Sequence, residues 1–288
     1  MLLSQFIRQG AEELGALYPP REARALVERL VQDLEGLKPY AHIVDPSLEA
    51  SEALQEGLSR LLAGEPLQYV TGWQEFYGRR FNVGPQVLIP RPETELLVRD
   101  AVLRAMTLEA PRVLDLCTGS GCIAWSIALD VPGARVTAVD LSEDALELAR
   151  RQFPLGDAAA GDFPFGAKAP QFVKADVLSE RSYPGTPFDI LVANPPYVLE
   201  SERSAMLPNV LEHEPAMALF VPDDDPLLFY RAIAECALSS LAPGGWGMVE
   251  INETLGPETA RLFEAAGLRD VRLSKDFAEK DRFLSFSS

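Results

Sequence analysis

Four polar side chains stand where short apolar runs stop: Asp115 in "RVLDL", Asp140 in "RVTAVD", Asp176 after "QFVKA" and Asn194 after "FDILVA". A carboxylate in such a place can accept hydrogen bonds from a ribose diol. Asn194 is followed by Pro195, Pro196 and Tyr197, a grouping suited to clamping a planar amide or amine. Proline fixes φ and pushes its predecessor into extended backbone, so the acceptors beside it are preset. An aromatic ring next to them can lie against a flat group and exclude water. Each residue alone also reads as a turn former, but four at successive run ends point to one ligand site.

After the first run, "CTGSGCIA" places Gly119 and Gly121 ahead of a helical pattern. Glycines there allow a tight turn and let a ligand approach the peptide N–H groups at the helix start. Ala124 occupies the position of the last glycine in the pyrophosphate fingerprint.

These residues need a scaffold that gathers strand ends. From Pro111 onward, short apolar strands alternate with helices: "RVLDL", "GCIAWSIALD", "RVTAVD", "SEDALELARRQ", "QFVKAD", "FDILVAN", "DPLLFYRAIAECALSSL", "GGWGMVEI", "PETARLFEAAGL", "VRLS" and "FLSFS". That order predicts a seven-stranded, mostly parallel, doubly wound α/β sheet, with the closely spaced last two strands as an antiparallel edge. Ligands in such sheets lie beyond the carboxyl ends of the strands. Ser142 is the expected cap of the helix after Asp140, with Glu143 and Asp144 in its first turn.

Residues 1–64 carry a different pattern. "SQFIRQGAEELGAL", "REARALVERLVQDLEGL" and "SLEASEALQEGLSRLLAG" repeat apolar residues every three or four positions, predicting a small all-helical domain. Residues 65–90, rich in aromatics and β-branched residues with Gly72, Gly78 and Gly84 at turns, predict a β-hairpin linker, and residues 91–288 form the α/β domain. A helix is expected from "RPETELL", with Pro92, Glu93 and Glu95 in its first turn.

A formal charge of −17 disfavours a surface that grips a nucleic-acid backbone, while suiting a basic protein or cationic ligand. Three cysteines without a signal-type start predict a cytoplasmic protein with free thiols. No apolar run is long enough to cross a bilayer, so no membrane association is expected. With only His42 and His213 available, Cys117 and Cys122 lack partners for zinc, and no metal is expected.

Two cofactors suit the strand-end set, a dinucleotide or S-adenosylmethionine. The Asn194-Pro-Pro-Tyr197 clamp favours the second, and no Lys or His stands in a comparable place for hydride chemistry.

"DLCTGSG", "AVD" and "NPPYV", with "VLIPRPETE" and "EPLQYVTGWQEFYGRRFNV" before them, resemble the protein-(glutamine-N5) methyltransferases that modify peptide chain release factors. The likeness runs from Glu65 nearly to the end, through "EHEPAMALFVPDDDPLLFYRAIA", "GGWGMVEINE" and "DFAEKDRFL". It implies transfer of a methyl from S-adenosylmethionine, leaving S-adenosylhomocysteine, to the glutamine amide of a release factor's Gly-Gly-Gln motif. It also implies that the helical domain holds a remote face of that factor.

The implied cofactor contacts are Cys117, Thr118, Gly119, Ser120, Gly121, Asp140, Leu141, Asp176, Val177 and Asn194. Asn194, Pro195 and Tyr197 would be catalytic, and with Pro196 they would hold the substrate amide. Cys117 departs from the resemblance, since many relatives have Gly there. Arg91, Glu93 and Glu95 read equally as a charged helix start, and Glu212, His213 and Glu214 as an entrance or a solvated loop.

A ribosomal-protein glutamine methyltransferase would share this core. An adenine-N6 nucleic-acid methyltransferase would need a basic track, which the charge opposes. A scaffold that merely keeps the fold would be expected to have a damaged ligand set.

Overall fold

The computed structural model describes residues 1–153 and 166–288. Most of the Gly-, Ala- and Pro-rich stretch 155–170, which the sequence leaves open between an ordered cover and a connection, lies outside them.

The chain divides into two compact units, one of Met1–Trp73 with Met206–Glu214, the other of Gln74–Ala205 with Pro215–Ser288. The first holds helices α1 (Leu3–Leu14), α2 (Pro20–Glu35), α3 (Ala41–Val44), α4 (Glu52–Leu62), α5 (Leu67–Thr71) and, from the later segment, α9 (Pro208–His213). α2 stops at Gly36 in the left-handed conformation, and α4 is capped by the Ser51 hydroxyl, which accepts from Leu54 N. Three-and-four spacing puts Phe6, Leu14, Val27, Leu30, Leu54 and Leu61 in one buried cluster. The hairpin proper is β1 (Trp73–Phe76) and β2 (Arg79–Asn82), preceded within residues 65–90 by α5.

The second unit continues through α6 (Thr94–Ala105), β3 (Arg112–Leu116), α7 (Cys122–Asp130), β4 (Arg135–Asp140), α8 (Glu143–Arg150), β5 (Gln171–Lys174) and β6 (Phe188–Ala193). Then come β7 (Val198–Leu199), α10 (Ala216–Leu219), β8 (Phe220–Val221), α11 (Leu228–Ser240), β9 (Leu241–Glu250), α12 (Gly256–Ala266), β10 (Arg269–Lys275) and β11 (Asp281–Ser287). α6 begins at Thr94, so Pro92 precedes the helix rather than opening its first turn.

The seven-stranded sheet has the order β10-β11-β9-β6-β3-β4-β5. Neighbours from β9 to β5 run parallel, and β11 is antiparallel to both β9 and β10. Alternation along each strand feeds two cores. Val113, Val136, Ile190 and Val192 pack on one face with α6 and α7, while Leu114, Leu116, Leu191 and Ala193 pack on the other with α11 and α12. Both faces are therefore covered, as continuous apolar strands require. The chain steps outward from β3 through β4 to β5, then returns to β6 on the opposite side of β3. The order thus reverses between β3 and β6, and a crevice opens beyond their carboxyl ends.

Candidate functional site

A cleft of about 1100 Å³, its open mouth included, lies there. Its wall comes from the loop after β3 (Cys117, Thr118, Gly119, Ser120), the end of β4 (Asp140, Leu141), the loop after β5 (Asp176, Val177) and the end of β6 (Asn194, Pro196). Of the four polar residues expected at strand ends, Asp140, Asp176 and Asn194 thus share one cavity.

Asp140 couples two of these loops. Its Oδ2 accepts the backbone N–H of Gly119 at 2.8 Å, and its Oδ1 accepts that of Ser142 at 2.9 Å. Burial nevertheless raises its pKa, against the pull of those N–H groups. Ser142 caps α8 as expected, its hydroxyl accepting from Ala145 N at 3.2 Å. Asp176 Oδ1 turns the next loop by accepting from Leu178 N at 2.8 Å.

Asp115 is fully buried and is not part of the cavity wall. Its Oδ2 accepts the Thr118 hydroxyl at 2.5 Å. Burial pushes its pKa up to about 7, and the Asp140 charge adds to the rise, while the Thr118 hydroxyl and the Ala124 N–H in the first turn of α7 oppose it.

The two glycines have different duties. Gly119 has φ +52° and open space around a notional Cβ. Gly121 has φ +78°, and a Cβ there would lie 3.0 Å from Ala149 Cβ and 3.2 Å from Trp125 Cδ1. It does not line the cleft. Its task is to let the loop and α7 close on α8. Cys117 also has positive φ, +59°, which explains why glycine suits that position. Burial and the carboxylates of Asp140, Asp115 and Asp176 push its thiol well above the ordinary range. Cys122, also in the wall, is pushed up to about 12 by burial. All three cysteines are free.

Pro195 is buried and outside the cavity wall. Tyr197 is expected against a flat amide, but it does not line the cleft either. Its ring packs against the second core, and its hydroxyl donates to Glu250 Oε1 at 2.9 Å.

Several wall residues escape the strand-end logic: Gln86, Val87, Leu88, Pro90, Arg91 and Thr94 from the connection between β2 and α6, and Pro215, Met217, Ala218 and Phe229 from later in the chain. The "VLIPRPETE" motif was the available signal for the first group. Glu95 serves the hairpin instead, its Oε1 accepting Tyr77 N at 2.9 Å.

The wall suits a cationic, partly apolar ligand with a diol. It combines Asp140 and Asp176 with Val87, Leu88, Ile123 and Phe229, and Arg91 is the one strong base among its described residues. Among the described residues, no cluster of three or more His, Cys, Asp or Glu is placed to hold a metal. No helix is long and apolar enough to cross a membrane, among those described.

The family model "Methyltransferase small domain" matches residues 93–218. A release factor glutamine methyltransferase of Bacteroides thetaiotaomicron is 42% identical over 98% of both chains. Another, of Flavobacterium psychrophilum, is 36% identical over 99% of this chain and 98% of its own. The solved structure of a methyltransferase from Pyrococcus furiosus superposes with a TM-score of 0.51 at 18% identity, over 81% of this chain and 98% of its own, a likeness of fold.

Proposed function

Because the chain belongs to the release factor glutamine methyltransferase family, we propose that it methylates the side-chain amide nitrogen of the glutamine in the Gly-Gly-Gln motif of peptide chain release factors. The observation that carries this reading is Asn194, which lines the same cleft as Gly119, Asp140 and Asp176. An acceptor for amide N–H groups then stands within the cavity that holds the methyl donor.

S-adenosylmethionine, when bound, supplies an electrophilic methyl on a sulfonium cation and leaves as S-adenosylhomocysteine. Asp140 and Leu141 would hold the ribose and adenine end, the loop Cys117–Ser120 the amino-acid end, and Asp176 and Val177 the adenine edge. Asp140 and Asp176 also favour a cation in the cleft electrostatically.

An amide nitrogen is a poor nucleophile because its lone pair is delocalised into the carbonyl. Position is therefore what this chain contributes. Asn194 Oδ1 accepts an N–H group of the glutamine amide, with Pro195 and Pro196 stiffening the acceptor. Tyr197 anchors the far end of the clamp loop through its hydroxyl on Glu250. Alignment of this kind is worth roughly 7–11 kcal/mol in well-oriented systems, more than general base catalysis supplies.

The helical region, residues 1–64, is assigned to recognition of a remote face of the release factor. That second contact would select one glutamine among many. The reaction is expected in the cytoplasm.

Mass spectrometry of a release factor incubated with the protein and S-adenosylmethionine tests the proposal. One added methyl on the Gly-Gly-Gln glutamine, absent with Asn194→Ala, supports it. A methyl found on a ribosomal protein or an adenine instead overturns the acceptor assignment.

A further inference from the structure

β9 runs beside β6, with Val249 opposite Ala193, and so brings Glu250 next to the start of the Asn194-Pro-Pro-Tyr197 loop. Glu250 is 1% exposed, and its two oxygens are divided between two donors. Oε2 accepts the Thr94 hydroxyl at 2.7 Å, and Oε1 accepts the Tyr197 hydroxyl at 2.9 Å. The Asn194 amide nitrogen, Nδ2, reaches Thr94 Oγ1 at 3.3 Å. The Asn252 amide adds a further tie, donating to the Tyr197 carbonyl at 3.1 Å.

The order of donors and acceptors along this chain sets a direction. In its ionised form the Glu250 carboxylate only accepts, so the Thr94 proton points at Glu250 and only lone pairs face Asn194. Asn194 must then present its NH₂ to Thr94, and its Oδ1 is turned elsewhere. The opposite flip would set an amide oxygen against the Thr94 lone pairs, two acceptors without a proton between them. Burial raises the Glu250 pKa above the ordinary carboxylate value, and the two hydroxyl donors with the Arg282 guanidinium oppose that rise. Thr94 lines the cleft beside Asn194, so the relay ends at the cavity wall.

On the reading of Asn194 as the clamp for the acceptor amide, we propose that Glu250 and Thr94 are positioning residues: they fix the flip of the Asn194 amide so that Oδ1 is offered to the incoming N–H, while Glu250 anchors Tyr197 at the other end of the same loop. Neither touches the reacting atoms. An amide not held this way can turn its NH₂ to the substrate and repel the N–H it must accept.

The test uses the full chain and an intact release factor, with Thr94→Val, Thr94→Ser, Glu250→Gln and Asn194→Ala. Methylation is followed under single-turnover conditions, and S-adenosylmethionine binding by calorimetry. Thr94→Val keeps the shape and removes the hydroxyl. It is expected to slow transfer about a hundredfold, the cost of a misplaced catalytic group, with the calorimetric Kd within about threefold of wild type. Thr94→Ser restores the rate. Glu250→Gln is expected to slow transfer as Thr94→Val does, because its NH₂ can reverse the relay. Thr94→Val added to Asn194→Ala costs nothing more, since Thr94 acts through Asn194.

Wild-type rates in Thr94→Val, with Asn194→Ala inactive, overturn the positioning role and leave the clamp standing. A wild-type rate in Asn194→Ala overturns the clamp itself. Loss of calorimetric binding in Thr94→Val that Thr94→Ser does not restore assigns the network to fold maintenance and overturns the proposal.

Discussion

Asp140 Oδ2 and the backbone N–H of Gly119 meet at 2.8 Å, joining the end of β4 to the loop that follows β3. The carboxylate that faces the cleft is therefore also the peg that shapes its glycine loop, with its second oxygen on Ser142 N. Binding and loop conformation share one side chain.

Asp140→Asn is expected to harm both. Its amide can serve one of the two N–H donors through oxygen but sets NH₂ against the other, leaving a buried donor unpaired at about 1–3 kcal/mol. S-adenosylmethionine affinity should fall at least about tenfold, about 1.4 kcal/mol. Calorimetry measures the loss of affinity and chemical denaturation the loss of stability. Unchanged values in both would remove Asp140 from either role.

Alanine at the two loop glycines should separate space from conformation. Gly119→Ala meets nothing within 4 Å and bears only the left-handed backbone cost, about 1–2 kcal/mol. Gly121→Ala bears that cost plus a contact of 3.0 Å with Ala149 Cβ, and overpacking adds about 1–3 kcal/mol. Urea midpoints should therefore order wild type above Gly119→Ala, and Gly119→Ala above Gly121→Ala. Equal midpoints would mean that the loop shifts freely.

Cys117 holds a left-handed backbone that glycine adopts without strain. Cys117→Gly is expected to keep S-adenosylmethionine binding and to lose little or no stability. Its raised thiol pKa, set first by burial, leaves almost no thiolate at pH 7.5. Iodoacetamide should label it far more slowly in the native protein than after denaturation. Rapid native labelling would contradict the raised pKa.

Asp115 should oppose folding at neutral pH. Its folded pKa of about 7 exceeds the ordinary 3.8, so the folded state holds the proton more tightly than the unfolded one. The stabilisation linked to that proton is fully present below about pH 4 and is lost as pH rises toward 7. Three pKa units set a ceiling of about 4 kcal/mol. Asp115→Asn keeps an oxygen for the Thr118 hydroxyl and has no charge to bury. Denaturation at pH 5 and pH 8 should find it gaining on wild type as pH rises. A gain that shrinks over that range would contradict the raised pKa.

Much of the fold was legible because its signals are local. Apolar runs ending at Asp140 and Asn194 became β4 and the exit of β6, since a strand buried on both faces is mostly apolar and turns polar where it leaves the sheet; Asp115 instead lies buried within β3, opposite Ala138 and Val192. Ser142 was readable as a cap because its partner, Ala145, lies three residues on. The antiparallel edge of β10 and β11 followed from their short connection.

What remained hidden depends on which strand lies beside which. Thr94 and Glu250 are 156 positions apart, and nothing in either neighbourhood announces the pair. They meet because β9 is parallel to β6 while α6 packs on both strands. The same holds for Gly121, which reads as a ligand loop until Ala149 and Trp125 appear around it, and for Tyr197, whose hydroxyl goes to Glu250 rather than leaving the ring free for the cleft. Residue type and spacing determined which groups stand at strand ends, because turn chemistry and periodicity act over a few residues. Strand order and packing decided what each group faces, because those contacts are made by chain segments brought together only when the sheet closes.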